Sequence, residues 1–373
     1  MEFGLPKEIR DRERRVALTP SGVLSLTRAN HAVYIERDAG AEAGFSDEAY
    51  RQSGGIIVHS AAEAYGRADV VVKVARPMRE EAAQFRPGQT ILSYFYLPVA
   101  SQQMVNGLRE KEITAIAFEM IRRDDGYQPV LHATSEVAGR LAPVIAGDLL
   151  TNDKGGRGVL LSGIPGVAPA SVVILGAGIL GMNAARAFLG LRSEVVILDR
   201  ELEQLQMVDQ LLEGRVTTML SNAFNIRRAT GFADVLIGAI QIPGARSPIV
   251  VTEEMVKQMR PGTVVIDFSI NSGGCVATSR PTTLVDPTYT VHEVIHHCVP
   301  NITATVARTA SYGLNNAALP YLRAIGALGV EAAIQEDSSL LRGVNSYQGK
   351  IANSDIAAAL GCEQEVDLSG GVA

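Results

Sequence analysis

Residues 171–190 read SVVILGAGILGMNAARAFLG. A β-branched run gives way to Gly176, Gly178 and Gly181, spaced as GxGxxG, and a helical pattern follows. Each glycine answers a backbone requirement. Gly176 permits a tight turn, Gly178 lets a pyrophosphate approach the main chain, and Gly181 lets helix and strand pack closely. The helix start then offers N–H groups and a positive dipole end to phosphates. The next apolar run, EVVIL at 194–198, ends directly in Asp199. A carboxylate there accepts hydrogen bonds from adenosine ribose hydroxyls. It would also repel a 2′-phosphate, so NAD is favoured over NADP. Arg200 softens that preference, since an arginine near this corner can serve a phosphate.

Outward from this stretch, short β-branched runs alternate with helical patterns. Before it come AVYIE (32–36), GIIVH (55–59), DVVVKV (69–74), TILSYF (90–95) and ITAIAF (113–118). With it come SVVIL (171–175), EVVIL (194–198), RVTTML (215–220), DVLIGA (234–239) and TVVID (263–267). Strands separated by helices imply parallel pairing, and near-continuous apolar strands imply helices on both faces. The expected fold is α/β, two Rossmann-like doubly wound parallel-sheet domains. From about residue 306 the chain reads as long helices that return to the first domain. Residues 1–130 plus 306–373 then form one discontinuous domain and 131–305 the other, with a long helix over 135–150 as the second crossing.

The 373 residues exceed one ordinary core. Net charge is −6 with no basic block, so the clustered Lys/Arg footprint of a nucleic-acid binder is missing. Residues 158–185 carry no charge, but Pro165, Pro169 and the glycines break them into loop, strand and turn rather than a membrane span. The N-terminal MEFGLPKEIRDRERR has charges where a signal peptide needs an apolar core. Cys275, Cys298 and Cys362 form no zinc-like spacing. They read as buried small hydrophobes in a reducing compartment, the cytoplasm. No metal site is expected. His296 and His297, taken as helix neighbours, would point different ways.

At 265–274 the sequence VIDFSINSGG reads as a strand running into an exposed tip with no ionisable group from Ser269 to Gly274.

Several segments resemble alanine dehydrogenase and the NAD-binding component of proton-translocating transhydrogenase, alanine dehydrogenase more closely. They are RRVALTP (14–20), ADVVVKVARP (68–77), SEVAGRLA (135–142), GGRGVLLSGIPGV (155–167), VVILGAGILGMNAARAF (172–188), IGAIQIPGARSP (237–248), GGCVATSRPTT (273–283) and CVPN (298–301). They stand in order over nearly the whole chain. The resemblance implies an interdomain cleft, NAD on the central domain, a small-molecule carboxylate substrate on the first, and a homo-oligomer, hexamer or dimer.

Carried across by position, the resemblance implies that Arg15 holds the substrate carboxylate, as a guanidinium can with two parallel hydrogen bonds. Lys73 contacts a carboxyl or carbonyl oxygen. Asn301 lies near substrate and nicotinamide. Ser135, Ser221, Ala239 and Ile240 contact the cofactor, beside the three glycines, Asp199 and Arg200. Two positions depart. Tyr96 stands where the family has its acid/base histidine, and Asn271 where it has an aspartate beside the reacting carbon. A tyrosine is a poor general base near neutral pH unless a cation depresses its pKa, and Lys73 is the candidate cation. Asparagine carries no charge. Asp267 matches another family acid and does not replace the lost one, lying roughly 13 Å back along an extended strand. Gln241 and Thr134 also differ from the family, and a structural role is expected for His292. His132 stands just before the crossing helix.

The expected activity is hydride transfer to or from the α-carbon of a small 2-amino, 2-imino or 2-oxo acid, with poor alanine dehydrogenase activity. Three alternatives stay open: an imine-reducing N-carboxyalkyl amino acid synthase, a redox-neutral enzyme with bound NAD, and a non-catalytic NAD-binding module.

Overall fold

The structure is a computed structural model that describes residues 1–368. The chain divides into two compact units. The first comprises Met1–Thr134, Pro243–Ala245 and the chain from Thr303 onward, and the second comprises Ser135–Ile242 and Arg246–Ile302.

In the first unit β1 (Glu2–Leu5), β2 (Ala32–Glu36), β3 (Ile56–Val58), β4 (Val70–Ala75), β5 (Thr90–Tyr94) and β6 (Thr114–Ala117) form a parallel array in the order β6-β5-β4-β1-β2-β3. Every residue of β4, β5 and β6 is buried, as strands covered on both faces must be. β1 was not expected, because its four residues sit between charges and a proline. Its burial beside β2 and β4 reveals it.

The second unit holds β7 (Ser171–Leu175), β8 (Glu194–Asp199), β9 (Thr217–Leu220), β10 (Val235–Gly238), β11 (Val264–Asp267), β12 (Thr288–Val291) and β13 (Val294–His297), in the order β12-β13-β11-β10-β7-β8-β9. β12 runs antiparallel to β13. His292 and Glu293 make the turn with φ of 51° and 60°, a two-residue hairpin without the usual glycine signal. In the first unit β14 (Val344–Tyr347) and β15 (Lys350–Ile351) extend the sheet antiparallel from β6. The expectation of wholly parallel sheets is therefore corrected at two edges, and that of a purely helical C-terminal part at β14 and β15.

The remainder of that part is helical, led by Ala307–Leu328 with Pro320 inside it. The helix expected over 135–150 begins earlier and spans Pro129–Leu149. A proline suits a first helical turn, where its missing N–H leaves no bond unmade. His132 thus lies within the helix. Among the described residues no single helix is long and apolar enough to cross a membrane.

Candidate active site

The loop bearing Arg15 is held from the helix Ala307–Leu328. Ser311 Oγ accepts the Val16 N–H at 2.9 Å and Asn315 Oδ1 the Thr19 N–H at 3.1 Å. Arg15 itself is 7% exposed. Its Nε and Nη2 donate to the two Glu13 carboxylate oxygens at 2.7 and 2.6 Å, and Nη1 donates to Thr303 Oγ1 at 2.8 Å. Burial disfavours the cation, but the Glu13 carboxylate more than compensates and its pKa rises. A guanidinium has five N–H donors, of which these contacts engage three. Glu13 and Thr303 were not anticipated, because a carboxylate inside RDRERR reads as a solvated charge.

Lys73, on β4, is 1% exposed. Its Nζ lies 2.8 Å from Glu8 Oε2 and 2.6 Å from Glu81 Oε1. Glu8 Oε1 also accepts the Val74 N–H at 2.7 Å, and Glu81 Oε2 the Met78 N–H at 2.8 Å. Burial and the neighbouring Glu13 and Glu81 carboxylates outweigh Lys73 and raise the Glu8 pKa.

Tyr96 follows β5 in the left-handed region, φ 44° and ψ 52°. Its ring stacks on Tyr94 at 6.2 Å and 15°. The Tyr94 hydroxyl lies 3.0 Å from both the Val130 carbonyl and Thr134 Oγ1. Burial and the Glu119 carboxylate push the Tyr96 pKa well above 10, and the cations that oppose this are Arg15 and Arg76. Lys73 was the candidate cation for acidifying Tyr96. It is committed to Glu8 and Glu81 instead, so Tyr96 stays a protonated phenol. Glu119, 3% exposed, was missed. Its burial raises its pKa to about 7. A lone acid in the apolar run AIAFEMI was the signal available for it.

In the second unit the helix Ile179–Gly190 opens after Gly178 without a side-chain cap, which leaves its first N–H groups without intrahelical partners. Gly176 has φ +107°, and a Cβ there would lie 2.4 Å from the Ala239 carbonyl oxygen. A Cβ at Gly181 would lie 1.9 Å from the Gly176 carbonyl oxygen, whereas one at Gly178 would meet nothing within 4 Å. The loop is tight where it packs and open where a ligand would approach. Asp199 Oδ2 accepts the Ala177 N–H at 2.7 Å and Oδ1 the Glu201 N–H at 3.0 Å. A carboxylate offers about four acceptor directions, so capacity for ribose hydroxyls remains. Ser221 N–H donates to the Asp199 carbonyl at 2.7 Å. Arg200 is exposed and paired with Glu201 at 2.9 Å. Ser135 is half-buried on the helix Pro129–Leu149, and Gln241 is exposed. These residues fit a dinucleotide.

The VIDFSINSGG segment differs from expectation twice. The strand stops at Asp267, and Phe268–Ser272 coils as a 3-10 helix. Ser269, Ile270 and Ser272 are buried rather than exposed. At about 2 Å rise per residue, the 13 Å separation of Asp267 from Asn271 is too long an estimate. Asp267 is occupied all the same. Its Oδ1 accepts the Ser269 N–H at 3.0 Å and its Oδ2 the Cys275 N–H at 2.9 Å. Ser269 Oγ then accepts the Ile240 N–H at 2.9 Å, and the Ala239 N–H donates to the Leu175 carbonyl at 2.8 Å. One buried carboxylate thus braces the loops around the glycine turn. Asn271 Nδ2 donates to the Pro300 carbonyl at 3.0 Å, bringing it beside Pro300–Asn301. A carbonyl partner fixes the amide orientation, because only the NH₂ end can donate.

Among the described residues no group of three or more His, Cys, Asp or Glu could hold a metal ion. His296 and His297 lie on β13, not on a helix. His296 bonds Thr278 Oγ1 at 2.7 Å and the Val294 carbonyl at 3.0 Å, and His292 Nε2 lies 2.8 Å from Glu253 Oε1. Cys275 and Cys298 are buried, but Cys362 is exposed, against expectation.

A doubly wound sheet with a GxGxxG turn, an open helix start and a carboxylate closing the second strand defines the class: an NAD-binding α/β protein. The descriptions "Alanine dehydrogenase/PNT, N-terminal domain" and "Alanine dehydrogenase/PNT, C-terminal domain" match residues 4–138 and 142–354. The alanine dehydrogenase of Methanococcus maripaludis is 42% identical over 96% of both chains. That of Mycobacterium tuberculosis (strain H37Rv) is 38% identical over 97% of both. A solved L-alanine dehydrogenase superposes with a TM-score of 0.88 at 40% identity, covering 97% of this chain and 99% of that one. A transhydrogenase from Sinorhizobium meliloti, 23% identical, shares the fold with a TM-score of 0.76 over 95% and 99% of the two chains. The chain belongs to the alanine dehydrogenase/PNT family and is an NAD-dependent oxidoreductase of the amino acid dehydrogenase type.

Proposed function

We propose that this chain transfers a hydride to the α-carbon of a small 2-imino acid, and that it favours reduction of an imine over deamination of alanine. The observation that carries the reading is the protonated Tyr96 phenol, held above its ordinary pKa. In this reading the first unit binds the substrate and the second binds NAD.

Bound NAD supplies the hydride donor or acceptor. Its phosphates would lie on Gly176, Gly178 and the helix start, and its ribose on Asp199, with Ser135, Ser221, Ala239 and Ile240 along its course. Arg15 binds the substrate carboxylate through N–H groups that Glu13 and Thr303 do not use. Lys73 has one ammonium donor beyond Glu8 and Glu81 to offer an oxygen. Tyr96 donates a hydrogen bond and holds its proton at Oη, so it polarises rather than deprotonates. Asn271, with Nδ2 on Pro300, presents Oδ1 as a neutral acceptor for an N–H, and Asn301 adds a polar group beside it. Hydride transfer needs orientation and charge stabilisation, which these groups provide. Deamination also needs a base for water attack and ammonia release, and neither Tyr96 nor Asn271 supplies one. We also take the protein to be a cytoplasmic homo-oligomer, hexamer or dimer, which light scattering tests.

The deciding assay follows NADH oxidation with pyruvate plus ammonia against pyruvate plus primary amines or amino acids. Turnover chiefly with the amines is expected. Efficient turnover with ammonia would overturn the preference, and NADH binding with no oxidation across the panel would leave a non-catalytic NAD-binding module.

A further inference from the structure

Tyr96 is one of the few non-glycine residues with positive φ, a conformation a bulky residue keeps only when its surroundings over-determine it. Its peptide groups are engaged on both sides. The Tyr96 N–H donates to Glu119 Oε1 at 2.5 Å. The Tyr96 carbonyl accepts from Arg76 Nη1 at 3.2 Å. Glu119 Oε2 takes the adjacent Phe95 N–H at 3.2 Å, and Gln128 Nε2 donates to the Glu119 carbonyl at 2.6 Å, fixing the residue that carries the carboxylate. Arg76 is thus tied to this segment by its hydrogen bond to the Tyr96 carbonyl and by the nearby Glu119 carboxylate.

We propose that Glu119 and Arg76 are the positioning residues of Tyr96, a clamp that holds its peptide in the left-handed conformation and its ring against Tyr94. The clamp explains an otherwise costly arrangement. A carboxylate with 3% exposure is expensive unless it is hydrogen-bonded, and Glu119 spends its two oxygens on two consecutive backbone N–H groups. Without it, the αL conformation of a tyrosine loses its support and the backbone relaxes to negative φ, moving the phenol.

The clamp also titrates. The groups that bear on Glu119 are Arg76, which favours its ionised form, and Tyr94 and Tyr96, whose own ionisation it opposes. Burial places its pKa at about 7, so the ionised acceptor forms above neutrality and is lost below it. A fall in turnover at acid pH is therefore expected from loss of the Glu119 carboxylate acceptor, not from Tyr96.

The catalytic side of this inference rests on the proposed hydride transfer, whereas its structural side does not. The test uses Glu119→Gln and Arg76→Gln in the full-length protein. A crystal structure of Glu119→Gln is expected to show Tyr96 at negative φ, and Tyr96 remaining near φ 44° would overturn the clamp whatever the enzyme turns over. In the imine-reduction assay Glu119→Gln is expected to lower kcat about 10-fold or more, with little change in KM for the 2-oxo acid, and to remove the pH dependence near 7. Glu119→Asp should recover part of the loss. In a Tyr96→Phe background Glu119→Gln should cost little more. A full additional loss there would show that Glu119 acts elsewhere. Wild-type protein that oxidises no NADH would defeat the functional reading and leave the crystallographic result standing.

Discussion

The Arg15 guanidinium lies side-on against the Glu13 carboxylate, with Nε and Nη2 at 2.7 and 2.6 Å from its two oxygens. This pairing leaves other guanidinium N–H groups for a second carboxylate. Arg15→Lys removes the planar fork while keeping the charge. It is expected to raise KM for a 2-oxo acid at least 10-fold, and an unchanged KM would defeat the assignment. Glu13→Gln keeps the shape but frees the cation to rotate, and a smaller rise of the same sign is expected.

Lys73 joins two carboxylates inside the first unit. Removing one member of a buried ion pair typically costs about 3–5 kcal/mol, so Lys73→Met should lower stability by that order at pH 8. Burial already raises the Glu8 pKa. Without Lys73, protonation relieves the stranded carboxylates, and the loss should shrink at pH 5. Urea melts at both pH values measure this. A loss as large at pH 5 as at pH 8 would mean that the charges are not its source.

Burial raises the Glu119 pKa in the folded protein to about 7 from an ordinary 4.5. A raised carboxylate pKa means that the folded state binds the proton more tightly, so stability falls as pH rises between those two values and levels off above. The contribution is about 3 kcal/mol across that window. Glu119→Gln should flatten this part of the urea-midpoint profile. A profile that superposes on the wild type would refute the shift.

Gly178 and Gly181 should separate stability from binding. A methyl group at Gly178 meets open space, whereas at Gly181 it meets the Gly176 carbonyl oxygen at 1.9 Å. Gly181→Ala should lower the melting temperature by an overpacking cost of about 1–3 kcal/mol. Gly178→Ala should melt normally and weaken NADH binding, read by nucleotide fluorescence. Undiminished NADH affinity in Gly178→Ala would move the pyrophosphate site elsewhere.

Restoring the two altered positions, Tyr96→His with Asn271→Asp, should create reductive amination of pyruvate by ammonia. General acid–base groups contribute about 10²–10⁴-fold, so a gain of at least 10²-fold is expected for the pair and less for either alone. No gain would place the divergence at other residues.

The parts visible in the sequence were those with local signatures. The glycine turn, the acid closing β8 and the β-branched strands follow from backbone sterics and residue periodicity, which act within a few residues. β1, β12, β13, β14 and β15 escaped because they are short and, β12 apart, lack the β-branched runs that marked the other strands, and the β12–β13 turn uses His292 and Glu293 where glycine or asparagine is usual. Arg15, Tyr96 and Asn271 are proposed through family position. Their partners are not, because Glu13, Thr303, Glu119 and Pro300 are joined to them by folding rather than by spacing.

By itself the sequence determined two α/β units and a dinucleotide loop, and its resemblance placed the neutral Tyr96 and Asn271 at the two positions proposed to handle protons. Only the tertiary structure decided what those groups are. It set Lys73 between Glu8 and Glu81, away from any role in acidifying Tyr96. It buried the VIDFSINSGG tip on the Asp267 carboxylate, and it held the Tyr96 peptide between Glu119 and Arg76. Residue type fixes which charges and donors a chain owns. Burial and the partners that folding brings within 3 Å fix which of them are committed and which remain for chemistry.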